Sequence, residues 1–139
     1  MVCVHYMYIS RKTDYGLILI GALKDTFASG RFKSLRSIAT QYRLPYAYVE
    51  KLAKALKQSG IVESHVGKDG GYRLVRNPRD TTLQDIVDVF QGKPIMRCMH
   101  STVPEKSCAL VSVCPTRKGW YKAEIEIRKT LKKFTLDQL

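Results

Sequence analysis

The sequence predicts a mainly α-helical fold with a small β-hairpin, organised as a winged helix-turn-helix. Three patterns predict this fold. Residues 34–59 have the periodicity of two helices joined by a tight turn. Residues 61–75 form two β-prone runs around a glycine-rich turn, as in a hairpin. A further helical pattern, residues 116–134, lies near the C-terminus and supplies a long final helix.

The charge of the chain is strongly positive and unevenly distributed. Lysine and arginine account for 24 of the 139 residues and acidic residues for 12, which gives a formal net charge of +12. Residues 1–79 hold 14 basic and 5 acidic side chains (+9), whereas residues 80–139 hold 10 and 7 (+3). A merely solubilising surface would not concentrate charge in one half, so the asymmetry favours a polyanionic partner such as nucleic acid.

Several other classes of protein are disfavoured by the sequence. No apolar stretch approaches the ~20 residues of a membrane span, and the N-terminus lacks the pattern of a signal peptide. We therefore expect a cytoplasmic protein, in which cysteines are reduced thiols or metal ligands. No nucleophile–base pair, phosphate-binding loop or pair of carboxylates stands out, so we do not expect an enzyme.

The helix boundaries in the first half follow from caps and breakers. The first helix spans residues 13–28, with Thr13 as its N-cap. The second helix begins at Ser34. The third helix spans residues 45–59, with Pro45 in its first position.

The second half contains a fourth helix, an irregular segment and the final helix. Thr82 and Asp85 have the spacing of a capping box, which opens a helix through Phe90. The final helix places apolar residues at spacings of 3, 4, 4 and 3, the narrow seam of a helix packed on another helix. A small domain cannot bury so long a one-sided helix alone, which predicts a dimerisation helix in a homodimer; packing on its own domain is the alternative. The seam residues are Trp120, Ala123, Ile127, Leu131 and Phe134.

Two helices at a tight turn followed by a hairpin are typical of DNA-binding units. The second of these helices enters the major groove, and the wing lies along the backbone or in the minor groove. We expect Glu50 to accept a hydrogen bond from cytosine N4 and the lysines to contact phosphates. Tyrosine hydroxyls reach phosphates or base edges, and the wing offers charge and open backbone amides. The candidate contacts are Arg36, Thr40, Tyr46, Ala47, Tyr48, Glu50, Lys51, Lys54, Lys68, Gly70, Gly71 and Arg73.

A structural role for two of these residues is the alternative. Tyr48 would then pack on the wing, and Glu50 would pair with Lys54 one helical turn away.

On the DNA-binding interpretation, the chain divides into a winged helix-turn-helix domain (residues 7–79), a helix with a cysteine-containing sensor loop (80–118), and a dimerisation helix with a C-terminal tail (119–139).

Three cysteines, Cys98, Cys108 and Cys114, lie in the irregular segment, with nine and then five residues between them. Thiolates are soft ligands that bind transition metals and iron–sulfur clusters. The spacing matches neither the paired knuckles of a zinc ribbon nor the close spacing of ferredoxins. From the residues alone, a metal or cluster site and inert or redox-active thiols both stay open.

Several short strings occur in the order and spacing of one protein family. They are Ile9-Ser10, Asp14-Tyr15-Gly16-Leu17, Ser37-Ile38-Ala39, Tyr48-Val49-Glu50-Lys51-Leu52, Gly70-Gly71-Tyr72-Arg73-Leu74 and Thr82-Leu83-Gln84-Asp85-Ile86. Each string is weak by itself, but together they are specific. The chain resembles the Rrf2 family of bacterial winged-helix regulators over almost its whole length, from residue 7 to residue 139. Family patterns begin two residues before the Ile-Ser pair, so Met7 is a candidate start of the protein.

The resemblance implies a homodimer held by the final helix and bound to double-stranded DNA at a palindromic or partly palindromic operator. It also implies recognition roles for Tyr48 and Glu50 and a wing role for the paired glycines. Many relatives have an arginine immediately before the first glycine of the wing, where this chain has Val66. Reading of the minor groove would then fall to Lys68 or Arg73.

The resemblance also bears on the cysteines. Cluster-binding members hold three cysteines in this loop, the last two separated by five residues, as in this chain. It therefore implies a [2Fe–2S] or [4Fe–4S] iron–sulfur cluster on the three cysteines, with the fourth ligand open. In IscR-like members that ligand is a histidine, at the position of Arg117. In NsrR-like members it is an aspartate of the partner's first helix, at the position of Asp14, and His100 is a further candidate.

These implications describe a transcriptional regulator, expected to be a repressor, whose operator binding is controlled by a cluster that senses nitric oxide, iron or redox state. The alternative within the family is a regulator without a cluster that acts through thiol oxidation or a protein partner. An electron-transfer protein would leave the basic winged helix unused. A structural nucleic-acid-binding protein would bind DNA without sequence preference.

Overall fold

The computed structural model describes residues 9–92 and 108–139. Met7, Cys98 and His100, for which the sequence suggests roles, lie outside these residues. The elements in chain order are α1 (Arg11–Ala22), α2 (Thr26–Ser29), α3 (Leu35–Gln41), α4 (Tyr46–Gln58), β1 (Val62–His65), β2 (Gly71–Leu74), α5 (Leu83–Gln91), α6 (Arg117–Leu131) and a final 3₁₀ turn (Leu136–Gln138). Within the described residues, no helix is both long and apolar enough to cross a membrane.

The prediction of one first helix that begins at Thr13 is wrong. The helix begins earlier, and two separate helices, α1 and α2, occupy the predicted span. Ser10 is the N-cap, because its hydroxyl accepts a hydrogen bond from the Thr13 backbone N–H at 3.2 Å, and Thr13 itself is buried. The helix ends at Ala22, and α2 follows as a separate turn. The hydroxyl of Thr26 donates to the Leu23 carbonyl and accepts from the Leu74 N–H, so a bond to the hairpin replaces continuation of the helix.

The helix-turn-helix forms as predicted, with its second boundary shifted by one residue. The hydroxyl of Ser34 accepts from the Arg36 N–H and caps α3. Pro45 is the extended N-cap of α4 rather than its first helical residue. Between the helices, Arg43 adopts a left-handed conformation with φ of 53°. That geometry allows the Leu44 N–H to donate back to the Ala39 carbonyl at 2.9 Å, which closes the tight turn.

Replacing Arg43 by glycine is expected to raise the free energy of unfolding by about 0.5–1 kcal/mol. The left-handed conformation costs a non-glycine residue about 1–2 kcal/mol, and the larger backbone entropy of glycine in the unfolded chain offsets only part of that cost. Urea denaturation of the two proteins measures the difference. Arg31→Gly removes the same charge from an exposed residue without a positive φ, and should not stabilise. Equal or lower stability of Arg43→Gly relative to Arg31→Gly would contradict the assignment of strain.

The wing is a two-stranded antiparallel hairpin in which Val62 lies opposite Leu74 and His65 opposite Gly71. A third segment joins it, because Lys33 and Tyr72 exchange two backbone hydrogen bonds of 2.9 Å. These bonds attach strand β2 of the wing to the segment just before α3. The orientation of the wing is therefore fixed relative to the helix-turn-helix.

Helix α5 packs on α1 and continues the same hydrophobic core. Its start is confirmed as a capping box of Thr82 and Asp85. Gly16 of α1 faces Phe90 so closely that a Cβ at residue 16 would lie 2.0 Å from the ring. Leu136 from the C-terminal segment is also buried in this core. The core thus extends across residue 80, where the sequence analysis placed the start of the sensor segment.

Helix α6 ends earlier than predicted, because the chain after it returns to α5. Leu83 N–H donates to the Phe134 carbonyl and Leu136 N–H to the Thr81 carbonyl, both at 2.9 Å. In α6, the Arg128 guanidinium binds Glu124 at 2.7 Å and Asp88 of α5 at 3.0 Å. One face of α6 is thus held against α5 by the ion pair between Arg128 and Asp88.

Candidate functional site

Helix α4 presents a polar face opposite its buried side, as the sequence predicts for a recognition helix. The buried residues of α4 are apolar and belong to the core: Val49, Leu52, Ala53 and Leu56. The residues predicted to contact DNA that remain exposed on α4 are Tyr46, Ala47, Glu50, Lys51 and Lys54. Burial of one side of α4 thus fixes which side chains are available to a partner.

Tyr48 differs from both interpretations of the sequence. Its side chain is half-buried, and its ring packs edge-to-face on the ring of Tyr15 in α1, with centroids 5.8 Å apart. Because the ring of Tyr48 packs on α1, we predict that only its hydroxyl contacts DNA.

Tyr46 lies between a cation and an anion at the start of α4. The Arg36 guanidinium lies over the Tyr46 ring, 4.9 Å from its centroid. A hydrogen bond with Glu50, one helical turn later, raises the pKa of Tyr46. The alternative pairing of Glu50 with Lys54 does not occur among the ion pairs of the described residues. Tyr46 is thus influenced by Arg36 on one side and by Glu50 on the other.

Thr40 of α3 is exposed, as expected for a contact with the DNA backbone. Its hydroxyl donates to the Arg36 carbonyl at 2.9 Å, within the same helix. This bond uses the hydroxyl proton but leaves oxygen lone pairs free. Thr40 can therefore accept a hydrogen bond but is not free to donate one in this conformation.

An open groove of about 630 Å³ lies between α4 and the wing. Three of its lining residues were not among the predicted contacts: Lys57, Gln58 and Tyr72. Lys57 could have been found from sequence, because it follows Lys54 by three residues and shares its helix face. Tyr72 carries no such signal, because its place beside α4 depends on how the hairpin packs in the folded protein. The residues that line the groove are Glu50, Lys54, Lys57, Gln58 and Tyr72.

In the wing, Lys68 is exposed as predicted, but the paired glycines have structural roles. Val66 is 92% exposed near the tip of the hairpin. The expectation of an open amide at Gly70 is wrong, because its N–H donates to the Gly67 carbonyl at 3.0 Å. A Cβ at Gly71 would lie 2.4 Å from the Lys33 carbonyl oxygen, and φ there is 149°. Gly71 is therefore required for the close approach of the wing to α3.

Arg73 is already engaged within the protein. Its Nε donates to the Glu63 carboxylate, and its Nη1 donates to the Gly30 carbonyl at 2.9 Å. Its guanidinium also lies 4.8 Å from the centre of the Phe32 ring. These contacts disfavour the predicted insertion of Arg73 into DNA and leave Lys68 as the wing cation that is free to make one.

The two described cysteines of the motif, Cys108 and Cys114, are half-buried free thiols. The hydroxyl of Thr116, 3.4 Å from Cys114 Sγ, lowers the pKa of Cys114, and Arg117 acts in the same direction. Asp14 is exposed on the first turn of α1. Among the described residues, no three histidine, cysteine, aspartate or glutamate side chains come together as a metal site.

Comparisons with known families, sequences and structures all point to the same protein family. The profile of the Rrf2 family, described as an iron-dependent transcriptional regulator, matches residues 9–139. The transcriptional regulator CymR of Bacillus subtilis is 32% identical over 135 residues, which cover 96% of this chain and 89% of that protein. The structure of T. potens IscR is similar, with a TM-score of 0.70 and 31% identity over 94% of this chain and 84% of that one. The oxidized form of Staphylococcus aureus CymR has a TM-score of 0.71 and 27% identity, with 94% of each chain covered.

The family match spans nearly the whole chain and includes the winged helix-turn-helix, α5 and α6. The likeness to solved structures extends over the same elements and supports the same fold. The basic, exposed face of α4 agrees with this assignment. The chain belongs to the Rrf2 family and is a transcriptional regulator.

Proposed function

We propose that the protein is a homodimer that represses transcription by binding a palindromic or partly palindromic DNA operator. The observation that carries this proposal is the exposed face of α4, where Glu50, Lys51 and Lys54 stand beside an anchored wing. Glu50 accepts hydrogen bonds from base amines in the major groove, and the lysines neutralise phosphates. Two such helices in a symmetric dimer would read two half-sites related by a dyad.

The proposed dimer interface is on α6, beside the seam that the sequence predicted. Ala123, Ile127 and Leu131 are half-buried in the single chain. The apolar residues of α6 that remain exposed are Trp120 of the predicted seam, 44% exposed, and Tyr121 and Ile125, 58% and 37% exposed. Tyr121 and Ile125 are four residues apart and share one face of the helix, and an exposed apolar patch with an aromatic side chain is typical of an interface between subunits.

A lysine introduced at Ile125 is expected to convert the dimer to a monomer, because it would place a charge in an apolar interface. Thr130→Lys is the matched control. It adds the same side chain to the same helix, at an exposed residue that projects roughly 140° away. Light scattering during size-exclusion chromatography measures the mass of each variant. A dimeric Ile125→Lys, or a monomeric Thr130→Lys, would contradict the proposed interface.

We propose further that Cys98, Cys108 and Cys114 hold an iron–sulfur cluster, with Asp14 of the partner subunit as the fourth ligand. The donor set fits, because thiolates are the usual ligands of such clusters and a lowered pKa favours the thiolate of Cys114. Asp14 is exposed, and its carboxylate forms no hydrogen bond or ion pair in the part of the chain that the structure describes. When bound, the cluster would act as the sensing group, because its formation requires iron and it is lost on exposure to nitric oxide or oxidants.

Purification without oxygen, followed by iron and sulfide analysis, tests this second proposal. Iron and sulfide in stoichiometric amounts, with broad visible absorption, would support the cluster. A colourless protein that takes up no iron on reconstitution would exclude it. The cluster proposal can fail in this way while operator binding stands.

Thiol oxidation without a cluster is the second candidate. It is favoured by the lowered pKa of the Cys114 thiol and by the likeness to a relative solved in an oxidized form. If it is correct, peroxide should modify Cys114 and change the DNA affinity of protein that contains no iron. Mass spectrometry of the treated protein locates the modification.

A further inference from the structure

One end of the groove between α4 and the wing holds a pair of hydrogen-bonded side chains, one from each element. The ammonium group of Lys57, in the last turn of α4, donates to the hydroxyl of Ser64 in β1, with Nζ and Oγ 2.6 Å apart. Ser64 lies opposite Tyr72 in the hairpin, so the two side chains share one face of the sheet. Because Tyr72 and Lys57 both line the groove, the pair stands at its wall.

Both members of this pair have protons left for a further partner. A lysine ammonium has three N–H donors, and the bond to Ser64 uses one of them. The Ser64 oxygen accepts that bond, so its own O–H can donate elsewhere. Lys57 forms no ion pair within residues 9–92 and 108–139. Two donors 2.6 Å apart, one of them cationic, are therefore available to a single anionic acceptor.

The charge of the groove changes sign from one end to the other. Glu50 is at the N-terminal end, and Lys57 is seven residues later, about 10 Å further along α4. Lys54 stands between them on the same side of the helix, and in the described part of the chain it too forms no ion pair. The carboxylate repels an anion from one end, and the two lysines attract it to the other.

The shape of the groove favours a chain that crosses it over a small molecule held inside it. Pockets for small molecules enclose most of the ligand surface and are lined mainly by apolar side chains. This groove is open, and most of its lining side chains are exposed and polar: Glu50, Lys54, Lys57 and Gln58. A DNA backbone matches it, because each phosphate carries one negative charge and the sugars on either side can stay in solvent.

We propose that the DNA backbone crosses the protein at this point, with one phosphate of each half-site bound jointly by Lys57, Ser64 and Lys54. Lys57 and Ser64 donate hydrogen bonds to the phosphate oxygens, and Lys54 adds a second positive charge. Because Lys57 belongs to α4 and Ser64 to the wing, one phosphate holds both elements and sets where Glu50 meets the bases. This inference rests on the proposed operator binding and adds two contacts, Lys57 and Ser64, that the sequence did not predict.

The dependence of DNA affinity on salt concentration separates a phosphate contact from a structural link between α4 and the wing. Lys57→Gln removes the charge, Lys57→Arg keeps it, and Ser64→Ala removes only the hydroxyl. Lys132→Gln is the matched control, since Lys132 is an exposed lysine at the end of α6, outside the helix-turn-helix and the wing. Affinities for the operator selected by the wild-type protein and for an unrelated duplex are measured between about 50 and 200 mM potassium chloride.

The expected result is a loss of salt dependence in Lys57→Gln. Each neutralised phosphate contributes about 0.9 to the slope of log affinity against log salt concentration, so loss of one in each subunit should reduce the slope by about 1.8. Affinity should fall about tenfold or more, by the same factor for both DNAs. Ser64→Ala should lose about 3- to 10-fold with an unchanged slope. Lys57→Arg and Lys132→Gln should keep the wild-type slope.

Three results would overturn the phosphate site while wild-type operator binding stands. An unchanged slope in Lys57→Gln is the first, and if affinity falls at the same time, Lys57 is a structural link to the wing. The second is a loss of preference at one base pair only, which would make Lys57 a base contact. The third is wild-type affinity of Ser64→Ala for both DNAs, which would contradict joint binding. A wild-type protein that binds no DNA would contradict the proposed function itself, and the inference would fall with it.

Discussion

A Cys108→Ala variant should contain no iron or sulfide after purification without oxygen, and its DNA affinity should not respond to nitric oxide or oxidants. Removal of one of three thiolate ligands leaves too few soft ligands to retain a cluster. The fold should persist, because Cys108 is only half-buried and lies outside the hydrophobic core. Iron and sulfide analysis, together with operator affinity before and after exposure to nitric oxide, measures both effects.

Cys3→Ala is the control for this prediction, since Cys3 lies outside the cysteine motif. It should retain the cluster and the response of the unmodified protein. A normal response in Cys108→Ala would contradict cluster-based sensing. Loss of the fold, seen by circular dichroism, would instead give Cys108 a structural role that its half-buried position does not predict.

Gly71→Ala is expected to weaken operator binding by about tenfold or more and to destabilise the protein by about 1–3 kcal/mol. The new Cβ would lie 2.4 Å from the backbone oxygen of Lys33, and backbone cannot move aside as a flexible side chain does. The pairing of Tyr72 with Lys33 would then open, and the wing would lose its fixed position against α3. Urea denaturation and operator titration measure the two effects.

Gly21→Ala provides the matched control. Gly21 lies in α1, and a Cβ there meets nothing within 4 Å. This variant should be neutral or more stable by up to about 1 kcal/mol, because alanine is a better helix former. If Gly71→Ala binds DNA and unfolds as Gly21→Ala does, the wing is not held by the contact between Gly71 and Lys33.

The features that the sequence predicts well are those determined by neighbouring residues. The capping box of Thr82 and Asp85, the cap at Ser34 and the glycine-rich hairpin each depend on side chains within a few positions. The orientation of α4 can be predicted from sequence equally well, because the spacing of its apolar residues alone decides which face is buried.

The features that sequence reasoning misses depend on partners far along the chain. The break after α1 arises because Thr26 bonds to Leu74 of the hairpin, 48 residues away. Arg73 has the charge of a DNA contact, but its bonds to Glu63 and Gly30 belong to the folded wing. Neither interaction is indicated by neighbouring residues, so the pattern of charge alone does not reveal that Arg73 is already bound within the protein.

The dimer seam shows the same limit. The spacing of apolar residues identifies Ala123, Ile127 and Leu131 as one face of α6, but it does not show which part of the protein covers them. In the structure, Arg128 ties that side of α6 to Asp88 of α5, which leaves other apolar residues exposed. In the described residues, α6 therefore packs partly on its own domain, and the proposed interface includes Tyr121 and Ile125 beside the predicted seam.

Selection of DNA by the purified protein from a random library tests the central claim most directly. The account predicts one enriched motif made of two half-sites related by a dyad, with centres about 34–36 Å, or 10–10.5 base pairs, apart or a multiple of this. Glu50→Ala should change the enriched base at one position of each half-site. Binding without enrichment of any sequence would contradict the claim that α4 reads an operator.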